Sequence, residues 1–258
     1  MEPDKKTWIV MLNRLKNRKG GGITPSGTIN ITANGTYNVT SYASADVQVA
    51  GGNQPATLLQ WIESPGGNTA NIINIDMIPI MLQLDGVDFC GIRLEADYQF
   101  LGDAGSFSNE IGCGEYSNTK RFTIDYPNNS DYFVFSVGTA ITTTIPKDTN
   151  RHIFIIDTKR KKVFVDAGEA NIAVSTLNSL EGFKVFGRSA GGTPGFAGPS
   201  KFYGLKIYLV DYYNKQYLMQ DIVPAKDSNG DIALFDKINN KYYKSQSTPI
   251  TLIAGPEV

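Results

Sequence analysis

Gly187-Arg188-Ser189-Ala190-Gly191 has the G-x-S-x-G spacing of a nucleophile elbow. That chemistry needs a strand before the serine, a helix after it, and a histidine later in the chain to take the hydroxyl proton. Residues 183–186 could supply the strand, but Gly192-Thr193-Pro194-Gly195 is a poor helix start, and the sole histidine, His152, precedes the serine. A glycine-rich loop between strands is the simpler reading. Glu95 and Asp97 lie two apart, as glycosidase carboxylates do, but the acid that would complete E-x-D-x-x-E is replaced by Phe100. Arg93, Glu95 and Asp97 therefore read as the solvent face of an amphipathic strand. His152, beside Ile153 and Phe154, reads as structural. Cys90 and Cys113 read as two buried free thiols, with one bridge between them the alternative, and with His152 they have no metal-ligand spacing. Asp227-x-Asn229-x-Asp231 superficially matches a calcium loop, yet its glycine is misplaced and the closing glutamate is missing, so a hairpin turn fits better. The residues thus assign no catalytic group, metal ligand or cofactor.

Binding chemistry has more candidates. Sugars are held by aromatic platforms with amide and carboxylate neighbours on exposed loops. Tyr116 with Asn118 is one such combination, and Tyr126 with Asn128, Asn129 and Asp131 is another. Tyr212-Tyr213-Asn214 is a further option. Tyrosine and asparagine are also ordinary at strand ends and turns, so each loop has a purely structural alternative.

The elements that must position these groups are strands. Residues 92–98 and 122–126 alternate apolar and polar at period two. Residues 132–137, 152–157, 162–165, 183–186, 202–210 and 232–235 are further strands, separated by turns such as Pro127-Asn128-Asn129-Ser130 and Asp227-Ser228-Asn229-Gly230. The expected fold is mainly β, a two-sheet antiparallel jelly roll over residues 57–258. Ahead of it, Trp8, Met11, Leu12 and Leu15 form one apolar stripe on a short helix that is marginal alone. The helix either packs on its own body or docks on another protein, and the hinge Gly20-Gly21-Gly22 favours docking. Residues 1–22 are thus a helical anchor. Residues 23–50, with the hairpin signal Asn34-Gly35, are a small β-module too short to bury much core, and 51–56 are a linker.

The chain has 258 residues, a net charge of −1 and 19% charged residues. Residues 1–19 hold six cations against Glu2 and Asp4, a net of +4, which leaves −5 on the remainder. This balance argues against nucleic acid and anionic membranes as partners of the body. No signal peptide or membrane-spanning run is visible, so the expectation is synthesis in a cytoplasm and exit by lysis or within a particle.

Two stretches carry a resemblance. Gln220-Asp221-Ile222-Val223-Pro224-Ala225, then Ala233-Leu234-Phe235-Asp236, Asn239-Asn240-Lys241-Tyr242-Tyr243 and Ala254-Gly255-Pro256 resemble the ending of laminin-G/concanavalin-like jelly rolls in phage and prophage proteins. Leu59-Gln60-Trp61-Ile62-Glu63-Ser64 resembles their opening. Residues 24–49 are similar to a short β-module of phage structural proteins that links an anchor to a C-terminal display domain. The resemblance implies a bacteriophage virion protein, a head or tail fibre or decoration protein, made in the bacterial cytoplasm and placed on the virion surface. It implies attachment to capsid or tail proteins through Trp8, Met11, Leu12 and Leu15, homo-oligomers such as trimers, and contact with a bacterial surface glycan or protein. A decoration protein without ligand, and a bacterial surface lectin or adhesin, are the alternatives. Cell binding separates the first from a display domain, and an export signal or wall anchor would mark the second.

Overall fold

A computed structural model describes residues 57–77, 80, 89–102, 109–113, 121–174, 182–190, 193–195, 198–245 and 248–258. The expected N-terminal helix with Trp8, Met11, Leu12 and Leu15, the β-module 23–50 and the linker 51–56 lie outside these residues. The chain divides between Gln54 and Pro55, and every described residue belongs to the second unit.

That unit is mainly β. Its strands are β1 Thr57–Leu58, β2 Ile62–Pro65, β3 Ile73–Ile75, β4 Phe89–Phe100, β5 Asn109–Cys113, β6 Arg121–Tyr126, β7 Tyr132–Pro146, β8 Arg151–Asp157 and β9 Lys162–Val165. There follow β10 Gly168–Asn171, β11 Phe183–Val185, β12 Arg188–Ala190, β13 Thr193–Gly195, β14 Pro199–Asp211, β15 Gln216–Lys226, β16 Ile232–Asp236, β17 Lys241–Tyr243 and β18 Ile253–Ala254. An antiparallel sheet runs β10-β9-β8-β4-β14-β15-β16-β17, with β1 on β15, β2 on β14 and β18 on β2. A second antiparallel sheet runs β3-β11-β5-β6-β7. Segments β12 and β13 make a separate two-stranded ribbon.

Period-two patterning explains the layering. On β4, Ile92, Leu94, Ala96, Tyr98 and Phe100 are buried, while Arg93, Glu95, Asp97 and Gln99 are half-buried on the opposite face. Phe122, Ile124 and Tyr126 on β6 and Phe133, Phe135 and Val137 on β7 turn inward from the second sheet. The inner faces meet in one aromatic-rich core. Phe133 and Phe154 pack edge to face at 5.0 Å, and Phe100 and Phe154 at 5.7 Å. Tyr98 is fully buried, and its hydroxyl donates to Ser200 Oγ at 2.6 Å. Burial pushes that hydroxyl's pKa upward. Buried Asn71 stitches the ends of the unit together, since its Oδ1 accepts the Thr251 N–H at 2.8 Å and its Nδ2 donates to Thr251 Oγ1 at 2.9 Å.

The structure adds strands that the alternation does not mark, β15 Gln216–Lys226 the longest of them, and two further elements differ from expectation. The glycine-rich run around Ser189 is not a plain loop, because Arg188–Ala190 pairs with Thr193–Gly195 as a short hairpin. Strand β7 extends well past residue 137. Its 15 residues would span roughly 50 Å if straight. Yet the Lys147 N–H donates to the Asp131 carbonyl at 2.9 Å, so the strand doubles back. Gly138, midway along it at φ +75°, takes the left-handed conformation this reversal uses.

Candidate functional site: two hairpin tips at one end of the larger sheet

Antiparallel pairing of β4 with both β8 and β14 carries the turn after β8 and the turn after β14 to the same end of the sheet. The β14–β15 turn, residues 212–215, is held by one carboxylate. Asp211 Oδ1 accepts the N–H groups of Tyr213 at 2.8 Å and Lys215 at 2.9 Å, and Tyr217 donates its hydroxyl to Oδ2 at 3.2 Å. Asn214, at φ +64°, takes the left-handed position that asparagine tolerates better than most residues. This local bonding fixes the backbone and turns two aromatic rings outward: Tyr212 is 60% and Tyr213 91% exposed.

The β8–β9 turn spans residues 158–161. Thr158 fastens it to β4, its hydroxyl accepting the Ile92 N–H at 2.9 Å. The Arg160 N–H reaches Asp157 Oδ1 at 3.0 Å, and Lys161 at φ +55° completes the reversal. Lys159 lies across Gly91, where an added Cβ would come 2.8 Å from the Lys159 Cβ. That close approach lets the Lys159 ammonium stand 5.4 Å from the centre of the Tyr212 ring, joining the two turns. Lys215 similarly lies 4.8 Å from the Tyr217 ring, which itself packs edge to face on Phe89 at 5.4 Å. The result is a pair of outward tyrosines on a braced turn, with the Lys159 ammonium over the Tyr212 ring.

The other sequence candidates fall elsewhere. Tyr116 and Asn118 lie outside the described residues. Tyr126 is 9% exposed, its ring packed against Phe100 at 5.7 Å and Phe133 at 6.0 Å, with Lys147 Nζ 4.4 Å from its centre. So buried a ring offers no open platform. Asn128, Asn129 and Asp131 are exposed on the β6–β7 turn, beside Tyr132 at 41% exposure. This turn adjoins the start of β8, the opposite end from the tyrosine tip.

Acidic and histidine groups are engaged in internal bonds. Arg93 pairs with Glu95 at 2.8 Å and Asp157 at 3.4 Å, and Arg151 clasps Asp97 through two bonds of 2.7 and 2.6 Å. His152 stands between Asp166, 2.6 Å from Nδ1, and Asp148, 2.8 Å from Nε2, with its ring against Phe133 and Phe154. Burial pulls its pKa down, but the two carboxylates outweigh this and the net shift is upward. Ser189 sits inside β12, paired opposite Pro194, rather than at a strand-to-helix elbow. On the β15–β16 turn, Asp227 Oδ1 accepts the Asn229 and Asp231 N–H groups at 2.9 and 3.0 Å, while the Lys244 ammonium bonds both Asp227 and Asp231. Lysine thus stands where a calcium ion would have to sit. Cys90 is a free thiol but half-buried rather than buried as expected, because it falls out of step with the inward face of β4, and its Sγ lies 3.7 Å from the Val210 carbonyl.

The tyrosines of the tip were visible in the sequence, whereas Lys159, Lys161 and Lys215 were missed. The signal was present: Lys159-Arg160-Lys161-Lys162 is a basic run in an otherwise acidic body. In comparisons with known proteins, the chain matches no family model and no curated sequence.

Proposed function

We propose that the chain is a non-enzymatic surface protein of a bacteriophage particle, a head or tail fibre or decoration protein. In this reading residues 1–22 attach it to other virion proteins. Residues 57–258, a jelly roll of the concanavalin/laminin-G type, meet a glycan or protein on the bacterial surface. The observation that supports a binding role is the tip of β14–β15, where Tyr212 and Tyr213 are 60% and 91% exposed on a turn braced by Asp211. Two neighbouring aromatic rings held in water on a rigid support gain apolar contact only when something lies against them. Rigidity favours binding because little conformational freedom is then lost on contact. A homotrimer would give the short β-module 23–50 extra core and would multiply weak contacts at each tip.

The test is binding of the fluorescently labelled full chain to cells of the bacterium in which the particles replicate. Tyr212→Ala/Tyr213→Ala is expected to lose most of the cell-associated signal while keeping its thermal midpoint. Alanine at Trp8, Met11, Leu12 and Leu15 is expected to abolish incorporation into particles without affecting cell binding. Equal cell binding by the tyrosine variant and the parent chain would remove the tip from the account.

A further inference from the structure

The two hairpin tips carry an uneven charge. Of the run Lys159-Arg160-Lys161-Lys162, Arg160 lies 3.7 Å from Asp157 and Lys162 lies 2.6 Å from Glu169. Lys159, Lys161 and Lys215 have no carboxylate partner among the described residues. Asp211, the acid nearest the tyrosines in the chain, spends Oδ1 on two backbone N–H groups and Oδ2 on Tyr217. The two tips thus carry Lys159, Lys161 and Lys215 without a carboxylate partner among the described residues, Lys159 over the Tyr212 ring and Lys215 over the Tyr217 ring, in a body whose net charge beyond residue 19 is −5. An isolated cationic patch on an anionic body focuses negative ligands onto itself and repels them elsewhere.

We infer that the paired tips of β8–β9 and β14–β15 bind an acidic glycan, a polymer of sugar or polyol repeats with regularly spaced negative charge. The inference rests on the displayed-module reading above and names the ligand class of that same site. Tyr212 and Tyr213 supply faces on which the C–H surfaces of successive repeats lie, and Lys159, Lys161 and Lys215 meet the anionic groups between them. The Lys159 ammonium, 5.4 Å from the Tyr212 ring centre, places a charge contact beside a stacking contact. Nucleic acid is the other polyanion that stacks on tyrosine, but its binding draws on many phosphate contacts along a broad positive track. Here the run Lys159-Arg160-Lys161-Lys162 is short and the body as a whole carries a net negative charge.

The experiment measures retention of the full chain on four immobilised probes: poly(glycerol phosphate), polygalacturonate, dextran and a single-stranded oligonucleotide. The parent chain is expected to bind one or both acidic glycans, with affinity falling as salt is added. Retention on the first alone identifies phosphate as the recognised anion, and on the second alone carboxylate. Lys159→Gln/Lys161→Gln/Lys215→Gln is expected to weaken binding about tenfold, the combined effect of three exposed charge contacts, with an unchanged thermal midpoint. Tighter binding to the oligonucleotide than to either acidic glycan overturns the inference. Equal binding to dextran, unaffected by the lysine variant, also overturns it. If no probe is retained although tyrosine-dependent cell binding persists, the acidic-glycan inference fails and the displayed-module reading stands. Cell binding that ignores Tyr212 and Tyr213 removes the foundation of both.

Discussion

His152 makes the stability of the β-unit depend on pH in a direction that can be worked out in advance. Both ring nitrogens face carboxylates, at 2.6 Å to Asp166 and 2.8 Å to Asp148, and only the imidazolium can donate to both. The clasp joins the turn before β8 to the turn after β9 and backs the ring against Phe133 and Phe154. The folded state raises the His152 pKa, so the stabilisation is complete below the unfolded value of about 6.5 and is lost as pH rises through the folded value. Burial pushes Asp148 and Asp166 up, but their backbone and histidine hydrogen bonds hold both below the usual range. Their contribution is present above about pH 4 and disappears only as pH falls through their lowered values. The full clasp therefore spans roughly pH 4 to 6.5. The histidine side chain is 12% exposed but its partners are 49% and 52% exposed, which places each bond in the range of surface pairs. Two such bonds amount to about 1–2 kcal/mol, or a fall of about 3–6 °C in Tm for a unit of this size. Scanning calorimetry from pH 5 to pH 9 measures it, with His152→Phe as the reference because it keeps the ring packing and removes both bonds. The difference in Tm between parent and variant should be largest near pH 5 to 6 and shrink steadily above pH 7. A difference that stays constant or grows with pH would refute the reasoning.

Other expectations follow from the same geometry. Phe133→Ala removes a fully buried ring at the meeting of the two sheets and should cost about 3–5 kcal/mol in urea unfolding. Gly91→Ala introduces a methyl group 2.8 Å from the Lys159 Cβ and 3.1 Å from its backbone nitrogen, so the β8–β9 turn must shift, and both Tm and acidic-glycan retention should fall. Because the Lys244 ammonium already bonds Asp227 and Asp231, millimolar calcium should leave Tm unchanged. A calcium-dependent rise would show that the ion displaces the lysine. Ser189→Ala should leave cell binding and thermal stability as they are, since Ser189 lies within a short ribbon strand.

Much of the strand content could be read directly where a strand buries one face, as β4 does. The alternation from Ile92 to Tyr98 gave β4 its inner and outer sides, and Asp227-Ser228-Asn229-Gly230 marked the β15–β16 turn, where Gly230 takes φ +82°. The inward position of Tyr126 was readable as well, because it falls two residues after Ile124 and so shares the core face. Pairing order was not readable: β14 lies between β4 and β15 because of contacts far apart in sequence, which local patterns do not encode. The β12–β13 ribbon was hidden by glycines that lack side-chain alternation. The tyrosine tip and the basic run were each visible, but their adjacency depends on β4 joining β8 to β14.

Immunogold electron microscopy of purified particles, with antibody raised against residues 57–258, tests the central claim most directly. Label is expected on the particle surface, on the capsid for a head fibre or decoration protein or at the tail for a receptor-binding fibre. Absence of label on intact particles, with an antibody shown to recognise the folded chain, would contradict it.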